Sequence, residues 1–167
     1  IGQNSSSTIS NSNSTISNSN STGNVTATGK NYVGGLVGYN SSSAISGTTS
    51  ASGNVVGGNS TGGLVGYNSS STITGATASG IVNGTSYVGG LVGQNLTSSA
   101  ISTSSASGDV TGTSGRVGGL VGDNSSTITS SFATGNVLGK NSSDVYQNYV
   151  GGLVGFNSNS NISASYR

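Results

Sequence analysis

Gly34-Gly35-Leu36-Val37-Gly38-Tyr39-Asn40 reads GGLVGYN, and the same seven letters return at 62–68. GGLVGQN follows at 89–95, GGLVGDN at 118–124 and GGLVGFN at 151–157, while the chain opens on IGQN at 1–4. Only the sixth letter changes. The closing asparagines, Asn4, Asn40, Asn68, Asn95, Asn124 and Asn157, lie 36, 28, 27, 29 and 33 residues apart. A period near 28 is the mark of stacked supersecondary units, each of which buries its apolar face only against its neighbours.

Two further pieces recur inside each period. A polar run after the asparagine carries one isoleucine, at Ile9, Ile45, Ile73, Ile101, Ile128 and Ile162. A small-residue phrase ending in valine comes next: ASGNV at 51–55, ASGIV at 78–82, ASGDV at 106–110 and ATGNV at 133–137, with STGNV at 21–25 as the first counterpart. None of the three pieces is long enough for a helix, and abundant glycine and β-branched residues oppose one. The expected architecture is all-β: a right-handed β-solenoid of about six coils, with three short strands and roughly 28 residues per coil, its coils stacked at the inter-strand spacing. The whole of 1–167 reads as one such domain, cut or processed from a longer array. Extra chain is expected near 10–22, where STISNSN occurs twice, and near 139–149, a polar and irregular stretch.

Period-2 geometry points the isoleucines inward and their flanking Ser and Thr outward. In the third piece Ala51 and Gly53 share a face, which Val55 joins after a one-residue offset or bulge. The phrase YVGGLVG has no polar face, so either a corner turns both Leu and Val inward or one set faces out. On the second reading Leu36, Leu64, Leu91, Leu120 and Leu153 form a lateral contact stripe. The repeated asparagines suit a hydrogen-bonded ladder at a corner. Tyr39, Tyr67, Gln94, Asp123 and Phe156 are the variable surface positions.

Composition narrows the function. Charged residues make up 4% of the chain, the net charge is +1, and Cys, His and Glu are absent. Thiolate metal sites, disulfides and the usual acid–base chemistry are thereby removed. The scattered Lys30, Arg116, Lys140 and Arg167 would not track a nucleic-acid backbone, and no apolar run reaches the length of a membrane span. Asp109, Asp123 and Asp144 do not align into a carboxylate pair. A calcium repeat would need recurring acids, and only Asp123 falls within the phrase. The expectation is a protein that is not an enzyme and carries no cofactor or metal.

GGLVGxN, with a Val or Thr before it and a Ser-rich turn after it, resembles the GLUG motif of large bacterial surface proteins, including adhesins and some secreted peptidases. The resemblance covers five full phrases and one partial phrase. It implies an extracellular, cell-surface β-helical segment, structural or adhesive, serving as a rigid stalk or fibre subunit. The expected partners are copies of itself, end to end or laterally, or host or surface glycans or proteins. Two other faces stay open as readings: an ice-binding face built from Ser and Thr rows, and a carbohydrate-binding face using Tyr39, Tyr67 and Phe156. Asn-X-Ser/Thr sequons such as Asn59-Ser60-Thr61 are numerous, as any Asn- and Ser-rich chain makes them.

Overall fold

The computed structural model describes residues 14–140 and 149–167. All their regular structure is β, and no helix is long and apolar enough to cross a membrane. Every strand pairing is parallel, and the strands assemble into one six-stranded and four five-stranded sheets whose members come from successive repeats. The chain is a β-solenoid, as expected from its period and its short β-prone pieces. Among the described residues the sheets of five strands span four full turns and the sheet of six spans five, slightly fewer than the six coils expected for 1–167.

Each coil contains five strands instead of the three expected. One circuit runs through Val65–Ser69, Thr72–Thr74, Thr77–Ala78, Val82–Gly84 and Val88–Gly89 before Val92 begins the next. The difference arises because two of the sequence phrases bend in the middle. VGGLVG divides into Val88–Gly89 and Val92–Leu96, and the phrase TASGIV divides into Thr77–Ala78 and Val82–Gly84.

The first bend settles the phrase that has no polar face. The bend lies at Gly90-Leu91, where the chain passes so near the coil above that a Cβ on Gly90 would fall on the carbonyl oxygen of Gly119. Only glycine permits that approach. The bend interrupts the period of two, so residues on both sides point inward. Leu64, Leu91 and Leu120 are 0% exposed, and Leu36 and Leu153 pack against the same core. The lateral leucine stripe therefore does not form: these leucines share the main interior with the Val37 column, the isoleucines and the alanines. Burying one leucine contributes roughly 1.5–3 kcal/mol.

The second bend divides the interior. Ala78, Gly80 and Val82 are all buried while Thr77, Ser79 and Ile81 are exposed, a strict alternation with no offset or bulge. Because the chain turns between them, Ala78 joins the main core, whereas Val82 joins a second, valine-only core with Val88, Val110, Val117 and Val137.

The isoleucine column is in register, Ile16 to Ile45 to Ile73 to Ile101 to Ile128 to Ile162. Its first member is Ile16, from the second STISNSN copy; Ile9 lies outside the described residues. So do Asn4 and residues 10–13 of the extra chain expected near 10–22, whereas Thr15–Ser17 and Asn20–Ser21 pair with the next coil. Of the stretch expected near 139–149, Gly139 and Tyr149 lie in strands and 141–148 fall outside the described residues.

Corners are made by residues in the left-handed region. One column holds Asn18, Gly47, Gly75, Thr103, Ser130 and Ala164, with φ between 47° and 71°. A second holds Ser42, Ser70, the pair Thr97-Ser98 and Asn159, and a third holds Tyr32, Ser60 and Tyr87. Glycine occupies this region without steric cost, while other L-residues lose roughly 1–2 kcal/mol there. The corners of adjacent coils hold one another in that conformation through the ladders between them.

Candidate binding face

Two polar ladders and one aromatic strip are the chemical features of the surface and corners. The asparagine ladder runs from Asn40 to Asn157. The Nδ2 of Asn40 donates to Oδ1 of Asn68 at 2.8 Å, Asn68 donates likewise to Asn95 at 2.9 Å, Asn95 to Asn124 at 2.8 Å and Asn124 to Asn157 at 2.7 Å. Asn68, Asn95 and Asn124 are 0% exposed. A second Nδ2 bond reaches back into the same coil, from Asn68 to the carbonyl of Ser71 and from Asn124 to that of Ser126. Only a primary amide has both a carbonyl acceptor and two N–H donors for such a chain.

Beside it stands a hydroxyl ladder that the repeat pattern alone did not reveal. The backbone N–H of Ser43 donates to Oγ of Ser71, that of Ser71 to Oγ of Ser99, and that of Ser99 to Oγ of Ser126. A similar series links Ala76 to Ser104, Ser104 to Ser131 and Ser131 to Ser165. These bonds satisfy amides that the corners withdraw from the sheets, and among the described residues no buried side-chain nitrogen or oxygen lacks a partner. The signal was present in the sequence as a serine two residues before each isoleucine, hidden among other serines.

The variable letters form a column with a distinct chemistry. Tyr39 and Tyr67 pair in register with Gln94, Asp123 and Phe156. Next to it lies a column that sequence reading did not single out: the residue just before each Val/Thr-Gly-Gly, namely Tyr32, Ser60, Tyr87, Arg116 and Tyr149. Their neighbours Val33, Thr61, Val88, Val117 and Val150 are paired in register, which aligns this column along the stack.

The two columns pack side by side. Tyr39 and Tyr67 stack with centroids 4.9 Å apart and planes 6° apart. Tyr32 meets both rings edge-on at interplanar angles of 82° and 77°. Ser60 donates through Oγ to Oε1 of Gln94, and Gln94 in turn donates through Nε2 to Oδ2 of Asp123 at 3.2 Å. Arg116 pairs with the same Oδ2 at 2.6 Å, and its guanidinium lies 4.0 Å from the ring centroid of Phe156 and 5.5 Å from that of Tyr87. Tyr149 packs on Phe156 at 4.9 Å.

Burial refines the variable positions. Asp123 is only 5% exposed, so this letter is an interior carboxylate answered by Arg116 and not a free surface residue. Tyr67 is shielded by its neighbours: desolvation first, then the adjacent Tyr39, Tyr32 and Asp123, raise its phenol pKa above the usual 10.0. Tyr32 and Tyr149 are 45% and 41% exposed.

The other carboxylates do not gather here. Asp109 is exposed in the connection just before Val110–Gly112, where its Oδ1 accepts from the backbone N–H of Asn136, and Asp144 lies outside the described residues. The Ser and Thr rows beside the isoleucines are mixed. Ser17, Ser46, Thr74, Ser102, Thr129 and Ser163 give a hydroxyl after each isoleucine, but Ala44 and Ala100 interrupt the row before it.

Stacked parallel ladders of this kind define a β-solenoid repeat protein. Within it, residues 84–111 match the family model described as the GLUG motif. That stretch is one circuit of the solenoid, from Gly84 to Thr111, and the in-register pairing of the GGLVG phrases places the same unit in the adjoining coils. No curated protein and no solved structure gives a significant match to the chain.

Proposed function

We propose that this chain is a rigid, non-enzymatic spacer segment of an extracellular surface protein or fibre, with its own repeats or surface glycans and proteins as partners. The observation that carries the proposal is the asparagine ladder: each coil is locked to the next by a buried amide chain in addition to backbone pairing. Nearest-neighbour stacking of this sort resists bending and shear while needing no ligand. The surface location rests on the GLUG match.

Stiffness is directly measurable. Thr15 and Ser163 are exposed at opposite ends of the six-stranded sheet, five coil steps apart, which corresponds to about 24 Å at the parallel-strand spacing. Spin labels at Thr15→Cys and Ser163→Cys are expected to give one narrow distance distribution by pulsed electron resonance. A broad distribution would remove the spacer role.

A further inference from the structure

We propose that the column Tyr32, Ser60, Tyr87, Arg116 and Tyr149 is a docking strip for a neutral, extended β-linked glycan chain lying along the solenoid axis. The inference is independent of the spacer role, since a stiff rod need not bind sugar.

Its basis is alternation. Along the stack the column reads aromatic, polar, aromatic, polar, aromatic, with one residue per coil. Coils rise by about 4.8 Å, so successive tyrosines stand about 10 Å apart. That interval is close to the disaccharide repeat of an extended β-linked pyranose chain, in which alternate rings present the same face. Tyrosine combines an apolar ring for the C–H face of a sugar with a hydroxyl for its rim. Between Tyr87 and Tyr149, Arg116 keeps N–H donors beyond the one it gives Asp123, whereas Ser60 is buried with its hydroxyl donated to Gln94 and adds no hydrogen bond to the strip.

Three further observations support a ligand of this kind. The ring of Tyr32 stands nearly perpendicular to the stacked Tyr39 and Tyr67, so its plane is turned along the solenoid, and it is 45% exposed. Tyr32 and Tyr87 are held at φ 55° and 51° in the corner column they share with Ser60, so their backbone is fixed before a ligand arrives. The charge is also balanced: the single cation, Arg116, is answered by Asp123 at 2.6 Å. A neutral chain suits this strip better than a polyanion.

The test titrates the intact 167-residue chain with cellohexaose and with maltohexaose, its helical α-linked counterpart, following tyrosine fluorescence and saturation transfer from the aromatic protons. Saturable binding of cellohexaose with transfer to its ring protons, and none of maltohexaose, is the expected result. Tyr32→Asn and Tyr87→Asn remove the rings while keeping a residue that tolerates the left-handed region, and each should weaken binding at least tenfold. Thr77→Ala, exposed on another sheet, should leave it unchanged. Saturation transfer on the unmodified chain keeps the test decisive if an Asn variant folds poorly. Absence of cellohexaose binding, equal binding of maltohexaose, or indifference to both Asn variants overturns the proposal, and none of these outcomes bears on the distance measurement above.

Discussion

Asn95 donates through Nδ2 to Oδ1 of Asn124 at 2.8 Å, and both side chains are fully buried. Asn95 also accepts from Asn68 at 2.9 Å, so it sits at the middle of a relay. Asn95→Ala removes both bonds and strands two buried amides, which should cost about 2–4 kcal/mol of stability. Asn95→Asp should cost more: it loses the donor to Asn124 and places a charge where no cation stands. Denaturant midpoints of the three chains would check the order, and an Asp variant as stable as the parent would contradict the ladder.

Arg116 and Asp123 differ from the ladder because they are a partly buried ion pair, with side-chain exposures of 26% and 7%. Arg116→Ala leaves the carboxylate nearly buried with Gln94 as its remaining side-chain partner, and about 2–3 kcal/mol should be lost after allowing for the exposure of the arginine. The double variant Arg116→Tyr with Asp123→Phe copies the Tyr149–Phe156 pair of the adjoining coil. It should restore stability to within about 1 kcal/mol of the parent, because apolar replacements of buried pairs are often neutral. Thermal unfolding of the single and double variants reads this directly.

Thr103 occupies the left-handed corner column at φ 49°, where Gly47 and Gly75 stand in two other coils. Thr103→Gly should therefore raise stability by about 0.5–1 kcal/mol, the relief of strain exceeding the added chain entropy of glycine. Gly90→Ala should do the reverse, since its methyl would meet the Gly119 carbonyl, and a loss of about 2 kcal/mol or more is expected. Opposite signs for these two single-residue changes in chemical unfolding distinguish a corner from a close approach.

Tyr67 gives the fold an alkaline limit. Its phenol pKa is raised in the folded state by burial and by Tyr39, Tyr32 and Asp123, so folding favours the protonated form. That contribution is complete below the unfolded value near 10.0 and is lost as pH rises from there through the folded value, where the unfolded chain releases the proton first. Stability should fall above pH 10 in the parent and fall less steeply in Tyr67→Phe. Identical pH profiles for the two chains would show that Tyr67 does not supply the effect.

Much of this was legible in the sequence. The 28-residue spacing of GGLVGxN, the short β-prone pieces and the inward isoleucines with hydroxyls around them point to stacked parallel strands, because a repeat this short buries its Ile, Leu and Val only against its neighbours. The three phrases, however, do not show their bends. Leu91 and Val92 are adjacent in the chain, and strict strand alternation would put them on opposite faces; both are buried because the chain bends at Gly90-Leu91, between the strands Val88–Gly89 and Val92–Leu96. A sequence records that glycines are present, whereas the direction of a corner depends on the coil above, whose Gly119 carbonyl stands where a side chain on Gly90 would be.

The same division holds at the binding face. Tyr39, Tyr67, Gln94, Asp123 and Phe156 could be found by comparing repeats, since one letter in a constant phrase is free to vary. Their partners Tyr32, Ser60, Tyr87, Arg116 and Tyr149 lie on the far side of VGGLVG, and only the fold brings Arg116 onto Asp123, seven residues away in the chain, and onto Phe156, one coil further on. The sequence by itself determined the period, the class of fold and the positions allowed to vary, because these follow from local chemistry repeated at constant spacing. The tertiary structure decided which residues became interior and which became neighbours, because both depend on corners stabilised by contacts between coils and not within them.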